Sequence, residues 1–214
     1  SEEVRGYFVV IAAAIAIITA NIYSLYNSFG EALRQAAFQV GSIITTCGYA
    51  TTDFDLWPET SKMILVLLMF IGACAGSTGG GFKISRLLIL CKAIPKQLSL
   101  VIHPREVKVI RMDGKPIDHN TLRSTNVYLA IYFFILLVST LLISVDNFNL
   151  TTNFTAVAST LNNIGPGLDG VGPTRNFGMY SDFSKFVLMF DMLAGRLELY
   201  PLLILFMPSL WRRK

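Results

Sequence analysis

The chain has 214 residues, of which 53% are hydrophobic and only 15% charged, with a mean hydropathy of +0.54 and a formal net charge of +4. Soluble domains carry about 25% charged residues, so the balance argues against a soluble protein, and the same apolar content excludes intrinsic disorder. The basic excess is segregated by segment, as membrane topology requires, so nucleic acid is not an expected partner, and Cys47, Cys74 and Cys91 form no close pair that would indicate a metal site or disulfide framework.

Val4 to Tyr26 is almost wholly apolar, interrupted mainly by Arg5 and Asn21, and is long enough for a helix to cross about 30 Å of hydrocarbon. It lacks a small-residue cleavage pattern and is expected to be retained. Glu31 to Ile44 is too short to cross and leads into Thr45-Thr46-Cys47-Gly48-Tyr49, the pattern of a re-entrant half-helix followed by a glycine turn. Met63 to Ile94 begins as a continuous apolar run, but Gly76-Ser77-Thr78-Gly79-Gly80-Gly81 interrupts it and Lys83 and Arg86 follow. Irregular backbone at membrane depth is tolerated only inside protein or along a water-filled cavity, and broken helices of this kind mark transport paths. The loop contains G-x-x-x-x-G, yet Phe82-Lys83-Ile84-Ser85 follows where a nucleotide loop needs Lys-Ser or Lys-Thr, so nucleotide binding is not expected. Gly72 and Gly76 also form a small-xxx-small pair, which close helix packing would explain.

The connection from Phe82 to Arg123 is strongly basic, with Lys92, Lys96, Arg105, Lys108, Arg111 and Lys115 between its ends, and is expected to be cytoplasmic. Thr125 to Val145 is a second complete span. Thr151 to Leu161 is a second half-helix, leading into Asn162-Asn163-Ile164-Gly165-Pro166. Asp182 to Trp211 is the last span, with Asp191, Arg196 and Glu198 in its middle and Pro201 and Pro208 later, so it cannot face lipid all round. Arg196 would lie near mid-membrane. Asp191 and Glu198 are candidate ion-pair partners, but on a helix Arg196 points about 140° and 200° away from them, so a partner on another element is needed. Trp57 and Trp211, near span ends, are expected to be interfacial anchors.

The two halves are alike. Val40-Gly41-Ser42 through Gly48 aligns with Val157-Ala158-Ser159 through Gly165 at an offset of 117, and Ser61-Lys62 and Gly72 align with Ser184-Lys185 and Gly195 at an offset of 123. Each unit is therefore span, half-helix, glycine turn, span. The basic connection and Arg212-Arg213-Lys214 put both chain ends in the cytoplasm. Asp53, Asp55, Glu59, Asp146, Asp169 and Asp182 then form an acidic rim on the outer face, with Lys62, Arg175 and Lys185 as the basic exceptions.

A dehydrated potassium ion needs several oxygens at fixed separation, which successive backbone carbonyls supply when a glycine admits the required dihedrals. Gly48 and Gly165 occupy that place, and the carbonyls beside them would be the ligands, with the side chains turned back into the protein. Each preceding half-helix would aim its negative end at the cation. A lone glycine turn is ordinary in a helical membrane protein. Two, at equivalent points of a repeat, favour an ion pathway.

These blocks resemble the Trk/Ktr/HKT superfamily of potassium transporters: Thr45 to Thr51, Ala75 to Arg86, His103-Pro104-Arg105, Asn162 to Leu168, and Ala194-Gly195-Arg196-Leu197-Glu198-Leu199-Tyr200-Pro201. His103-Pro104-Arg105 is more similar to the TrkH branch than to KtrB. The resemblance implies four pore repeats around one pore, of which this chain would carry the C-terminal two, at residues 1–100 and 125–214, joined by a cytoplasmic connection at 101–124. It further implies a bacterial inner-membrane protein that takes up potassium. Thr45, Thr46, Cys47, Gly48, Tyr49, Asn162, Asn163, Ile164, Gly165 and Pro166 would form the filter, and Gly76, Ser77, Thr78, Gly79, Gly80, Gly81 and Arg196 the gate. Implied partners are an N-terminal half with the other two repeats, a second copy of the four-repeat unit, a TrkA-like cytosolic nucleotide-binding ring, and the lipid bilayer. No cofactor beyond the transported potassium is expected. The alternative is a non-conducting membrane scaffold whose glycines only pack helices; an enzyme is disfavoured because no catalytic cluster is visible. The expected fold class is an all-α polytopic membrane protein.

Overall fold

Helix α1 (Glu2–Ile22) is built from the first apolar run and passes into a 3-10 turn at Tyr23–Leu25. Helix α2 (Phe29–Ile44) starts where Ser28 Oγ accepts the Glu31 N–H at 3.2 Å, which satisfies one of the donors a helix start leaves open. Helix α3 (Glu59–Ile71) has 13 residues, about 20 Å of rise. It ends at Gly72, four residues before the glycine-rich loop that the sequence marks as the break. The chain resumes as α4 (Ile84–Ile102), which runs eight residues past the expected end of that span. This computed structural model describes residues 1–77, 79–103 and 109–197. Thr78, Pro104, Arg105, Lys108, Glu198, and residues 199–214 with Pro201, Pro208, Trp211 and Arg212, lie outside the described residues.

The connection carries a hairpin that the sequence reading misses, β1 (Arg111–Met112) paired antiparallel with β2 (Lys115–Pro116). Its two turn residues, Asp113 and Gly114, both have positive φ, 50° and 78°, which is the backbone a tight hairpin turn demands and Asp-Gly favours. Helix α5 (His119–Ile143) follows, then α6 (Leu150–Leu161) and α7 (Asp182–Arg196). Asn149 Oδ1 accepts the Thr152 N–H at 2.7 Å to start α6. Ser181 Oγ accepts the Ser184 N–H at 3.3 Å to start α7, and the Ser181 N–H itself donates to Asp146 Oδ2 at 2.9 Å.

Both halves run long helix, shorter helix, loop, helix. Helices α3 and α7 begin at Glu59 and Asp182, 123 positions apart, and each carries an ion pair in its first turn: Glu59 with Lys62 at 2.6 Å, Asp182 with Lys185 at 3.7 Å. Among the described residues, Glu2–Leu25 and Asn120–Asp146 are the segments long and apolar enough to cross a membrane. Phe8 and Val9 on the first, and Phe134 and Leu141 on the second, are exposed.

Two apolar clusters make the core, one for each half, and they are interlocked. Ile164 and Leu168 of the second half pack into the first cluster, and Phe82 of the first half packs into the second. Phe70 and Phe154 bridge them with ring centroids 6.0 Å apart. Trp57 belongs to this interior rather than to an interfacial belt: it is buried, and its Nε1 donates to Tyr26 Oη at 3.1 Å. The 3-10 turn at Phe54–Leu56 folds the indole inward, where its N–H finds a partner. The loops ahead of α3 and α7 are tied by carboxylates, with the Asp169 N–H donating to Asp55 Oδ1 at 3.0 Å and Thr174 Oγ1 to Asp53 Oδ2 at 3.2 Å.

Candidate functional site

Helices α2 and α6 end in the same way. The Thr46 N–H donates to Ile43 O at 3.0 Å and the Cys47 N–H to Ser42 O at 2.9 Å. At the matching positions the Asn163 N–H donates to Thr160 O at 3.0 Å and the Ile164 N–H to Ser159 O at 2.9 Å. This is the paired closure of a Schellman end, in which the residue past the cap turns left-handed. That residue is Thr46 (φ 57°) in one loop and Asn163 (φ 55°) in the other. Asparagine tolerates the conformation, but a β-branched threonine rarely adopts it, so the first loop stores backbone strain. Gly48 (φ 80°) and Gly165 (φ 121°) follow two residues later, at the places the repeat assigns them.

The loops touch. A side-chain carbon on Gly48 would stand 3.0 Å from the Ile164 carbonyl carbon, closer still to its oxygen, and 3.3 Å from Pro166 Cδ. The serines at equivalent positions brace the two loops. Ser42 Oγ donates to Tyr49 O at 2.6 Å, and Ser159 Oγ accepts the Gly165 N–H at 3.0 Å. Tyr49 O is thus engaged by its own half-helix. The side chains do not all turn inward as expected: Asn162 and Ile164 are buried, whereas Thr45, Cys47 and Tyr49 are exposed. The buried side chains are those of the second loop, where α5 and α7 pack against α6. Open space lies beside Gly165, and a cavity of about 540 Å³, largely apolar, is lined by Asn163, Ile164, Gly165, Lys185, Met189 and Met192.

The glycine-rich loop lies against the bases of both loops. A side-chain carbon on Gly80 would meet the Asn162 carbonyl, 2.8 Å from its carbon, and one on Gly79 would stand 3.5 Å from Thr46 Oγ1. Gly72 packs on the backbone of Gly80 and Gly81, so of the small pair only this residue makes a close approach; nothing described lies within 4 Å of a carbon built on Gly76. The loop is anchored at its start by the Ala75 N–H donating to Glu3 Oε1 at 2.6 Å, and at its end by the Phe82 N–H donating to Phe70 O at 3.2 Å. Ser77, Gly79 and Gly81 line a cavity of about 220 Å³ together with Lys83, Tyr128, Gly195 and Arg196. The structure therefore brings the described part of the loop, both glycine turns and Arg196 into one region.

Arg196, expected to be a buried arginine, is the last residue of α7 and is exposed among the described residues. The suggested ion pair with Asp191 is not formed: Asp191 is fully buried, accepts from Ser139 Oγ at 2.7 Å, and its second oxygen has no hydrogen-bond partner among the described residues. Helix α5 supplies the nearer group, because Asp191 faces it while Arg196 has rotated away. Gly195 lets α7 approach the second loop, since a side-chain carbon there would sit 2.8 Å from the Leu161 carbonyl carbon and 2.9 Å from Asn163 Nδ2. The bracing role of Ser42 and Ser159 escapes the sequence reading, although both stand inside the aligned blocks. Ser139 and Tyr132 escape it too, and their signal was a polar atom within an otherwise apolar span.

The family model described as TrkH, cation transport protein, matches residues 7–213. The Trk system potassium uptake protein TrkH of Vibrio parahaemolyticus is 40% identical over 187 residues, covering 87% of this chain and 38% of that protein. TrkH of Escherichia coli K12 is 37% identical over 190 residues, 89% of this chain and 39% of its own length. The crystal structure of the potassium transporter TrkH from Vibrio parahaemolyticus superposes with a TM-score of 0.90 at 36% identity, covering 98% of this chain and 45% of that one. The chain thus spans roughly two fifths of the length of the relatives it matches.

Proposed function

The chain belongs to the TrkH family of cation transport proteins, and from that premise we propose that it forms two of the four pore repeats of a potassium-uptake protein of the bacterial inner membrane. The observation that carries this reading is the meeting of the two loops at Gly48 and the Ile164 carbonyl, each following a helix closed by the same hydrogen bonds. Residues 1–100 and 125–214 are the repeats and 101–124 the cytoplasmic connection, with both ends of the chain on the cytoplasmic side. The filter consists of Thr45 to Tyr49 and Asn162 to Pro166. Backbone carbonyls strip the ion of water, and the negative ends of α2 and α6 favour its charge. The acidic outer loops raise the local cation concentration.

Gly76 to Gly81 form the gate, supported by the contact of Gly79 and Gly80 with the bases of both loops. Arg196, lining the same cavity as that loop, holds back cations while the gate is shut. The 540 Å³ hollow beside Asn163 to Gly165 is where the other two repeats close the pore. The further partners are a second four-repeat unit and a TrkA-like cytosolic ring at the basic connection. No cofactor takes part.

Deleting Gly79 to Gly81 tests the assignment. In vesicles holding this chain with the other two repeats, rubidium influx should rise by about tenfold or more, because a shut population becomes open. Unchanged influx removes the gate. Absence of influx from an assembled, inserted protein, with or without the loop, returns the reading to a non-conducting scaffold.

A further inference from the structure

Helix α5 places a buried hydroxyl behind the second loop. Tyr132, 3% exposed, donates from Oη to Asn162 Oδ1 at 2.8 Å, while Asn162 Nδ2 donates to Ala158 O at 2.7 Å. Asn162 is the cap residue of α6 and the first residue of the second loop, so these two bonds fix its side chain completely within the buried interior. The glycine-rich loop reaches both partners of the first bond. Gly80 packs on the Asn162 backbone carbonyl, and Gly81 approaches Asn162 Oδ1, 3.3 Å from a side-chain carbon built there. Phe82 lies 6.5 Å from the Tyr132 ring and 5.9 Å from the Tyr128 ring, and Tyr128 in turn carries the Arg86 guanidinium at 3.9 Å. The first loop has a different arrangement: Thr45, at the position matching Asn162, is exposed and donates its hydroxyl to Gly41 O of its own helix at 2.7 Å.

We propose that Tyr132 is a positioning residue that holds the Asn162 end of the second filter loop in its ion-selecting geometry when the glycine-rich loop moves aside. With that loop in place, Gly80 and the Tyr132 hydroxyl both constrain Asn162. Once the loop is displaced, the Gly80 contact is lost and the Tyr132 hydroxyl is what still holds Asn162 from outside its own helix, where Nδ2 keeps its bond to Ala158 O. The filter would then stay selective during conduction, and its selectivity would depend on a residue that touches no ion. This inference rests on the reading of the loops as a filter and gate.

The test is the preference of influx for rubidium over sodium in the assembled transporter, measured for Tyr132→Phe with the glycine-rich loop intact and with Gly79 to Gly81 deleted. Phenylalanine keeps the ring contacts and removes only the donor, leaving Asn162 Oδ1 buried without it. The preference should fall by about tenfold in the loop-deleted background and by about twofold or less with the loop present, a hydrogen bond's worth lost where nothing else substitutes. Leu136→Val, one turn along the same buried face of α5, should lower thermal stability and leave the preference unchanged, which separates positioning from packing. Asn162→Ala, which removes the acceptor together with the Nδ2 bond to Ala158 O, should lower the preference at least as far, and Tyr132→Phe should add nothing to it; if Tyr132→Phe alone does not fold, the double substitution against Asn162→Ala decides the matter, a further loss overturning the proposal. An equal preference in wild type and in these variants in both backgrounds overturns the proposal while the filter reading stands. A wild-type protein with no preference for rubidium overturns both.

Discussion

Gly48→Ala should abolish selective uptake while leaving the helices inserted. The glycine has φ 80°, a conformation that costs a side-chain-bearing residue about 1–3 kcal/mol. Its added carbon would also be driven into the Ile164 carbonyl. Overpacking at a rigid contact costs about another 1–3 kcal/mol, and it cannot be relieved by a rotamer change, because the obstruction is backbone. The carbonyl that must move is itself one of the proposed ion ligands, so relieving the strain would distort the proposed filter. Rubidium influx should fall by about a hundredfold or more on this arithmetic, with the purified protein unchanged in helix content. Influx within twofold of wild type would mean that the two loops do not meet around the ion path.

Gly195→Ala should destabilise the protein by about 1–2 kcal/mol net, overpacking set against helix propensity, against the usual direction of such a change. In an exposed helix position alanine is favoured over glycine by about 1 kcal/mol. On α7 the new methyl would collide with the Leu161 carbonyl and crowd Asn163 Nδ2, so the helix must shift away from α6 or the end of α6 must deform. Gly30 provides the contrast. It lies in the first turn of α2, is exposed, and has nothing within 4 Å of an added carbon, so Gly30→Ala should be neutral or slightly stabilising. Thermal unfolding in detergent checks the pair, and equal midpoints for the two variants would contradict the close approach of α7 to the second loop.

What the sequence announced was mostly carried by period and punctuation. Short helices appear as α2 and α6 within two residues of the starts expected at Glu31 and Thr151, because Ser28 and Asn149 cap them and glycine turns end them. The break in the third apolar run was legible from its glycines, but its start at Gly72 was not, because that position is set by a tertiary contact with Gly80 and Gly81. The left-handed turn at Thr46 ran against residue preference and could be read only through its repeat partner, Asn163, which favours it. Type and position near a span end point Trp57 to an interface, whereas the fold gives its ring N–H the Tyr26 oxygen as a partner. The pairing of Asp191 with Ser139 and of Tyr132 with Asn162 joins residues 52 and 30 positions apart. No local pattern encodes such pairs; they follow from how α5 packs against α6 and α7.

Whether these loops select the ion is read from rubidium influx, with sodium as competitor, into vesicles holding the chain together with the other two repeats, compared between wild type and Gly165→Asp. Gly165 has φ 121°, so any side chain there strains the second loop although nothing described lies within 4 Å of an added carbon, and aspartate adds a charge beside the proposed ligands. The expected result is a rubidium-selective influx in wild type and its loss in Gly165→Asp at equal amounts of inserted protein. Equal, equally selective influx in both, or none from a fully assembled wild type, would contradict the assignment of these loops as the filter.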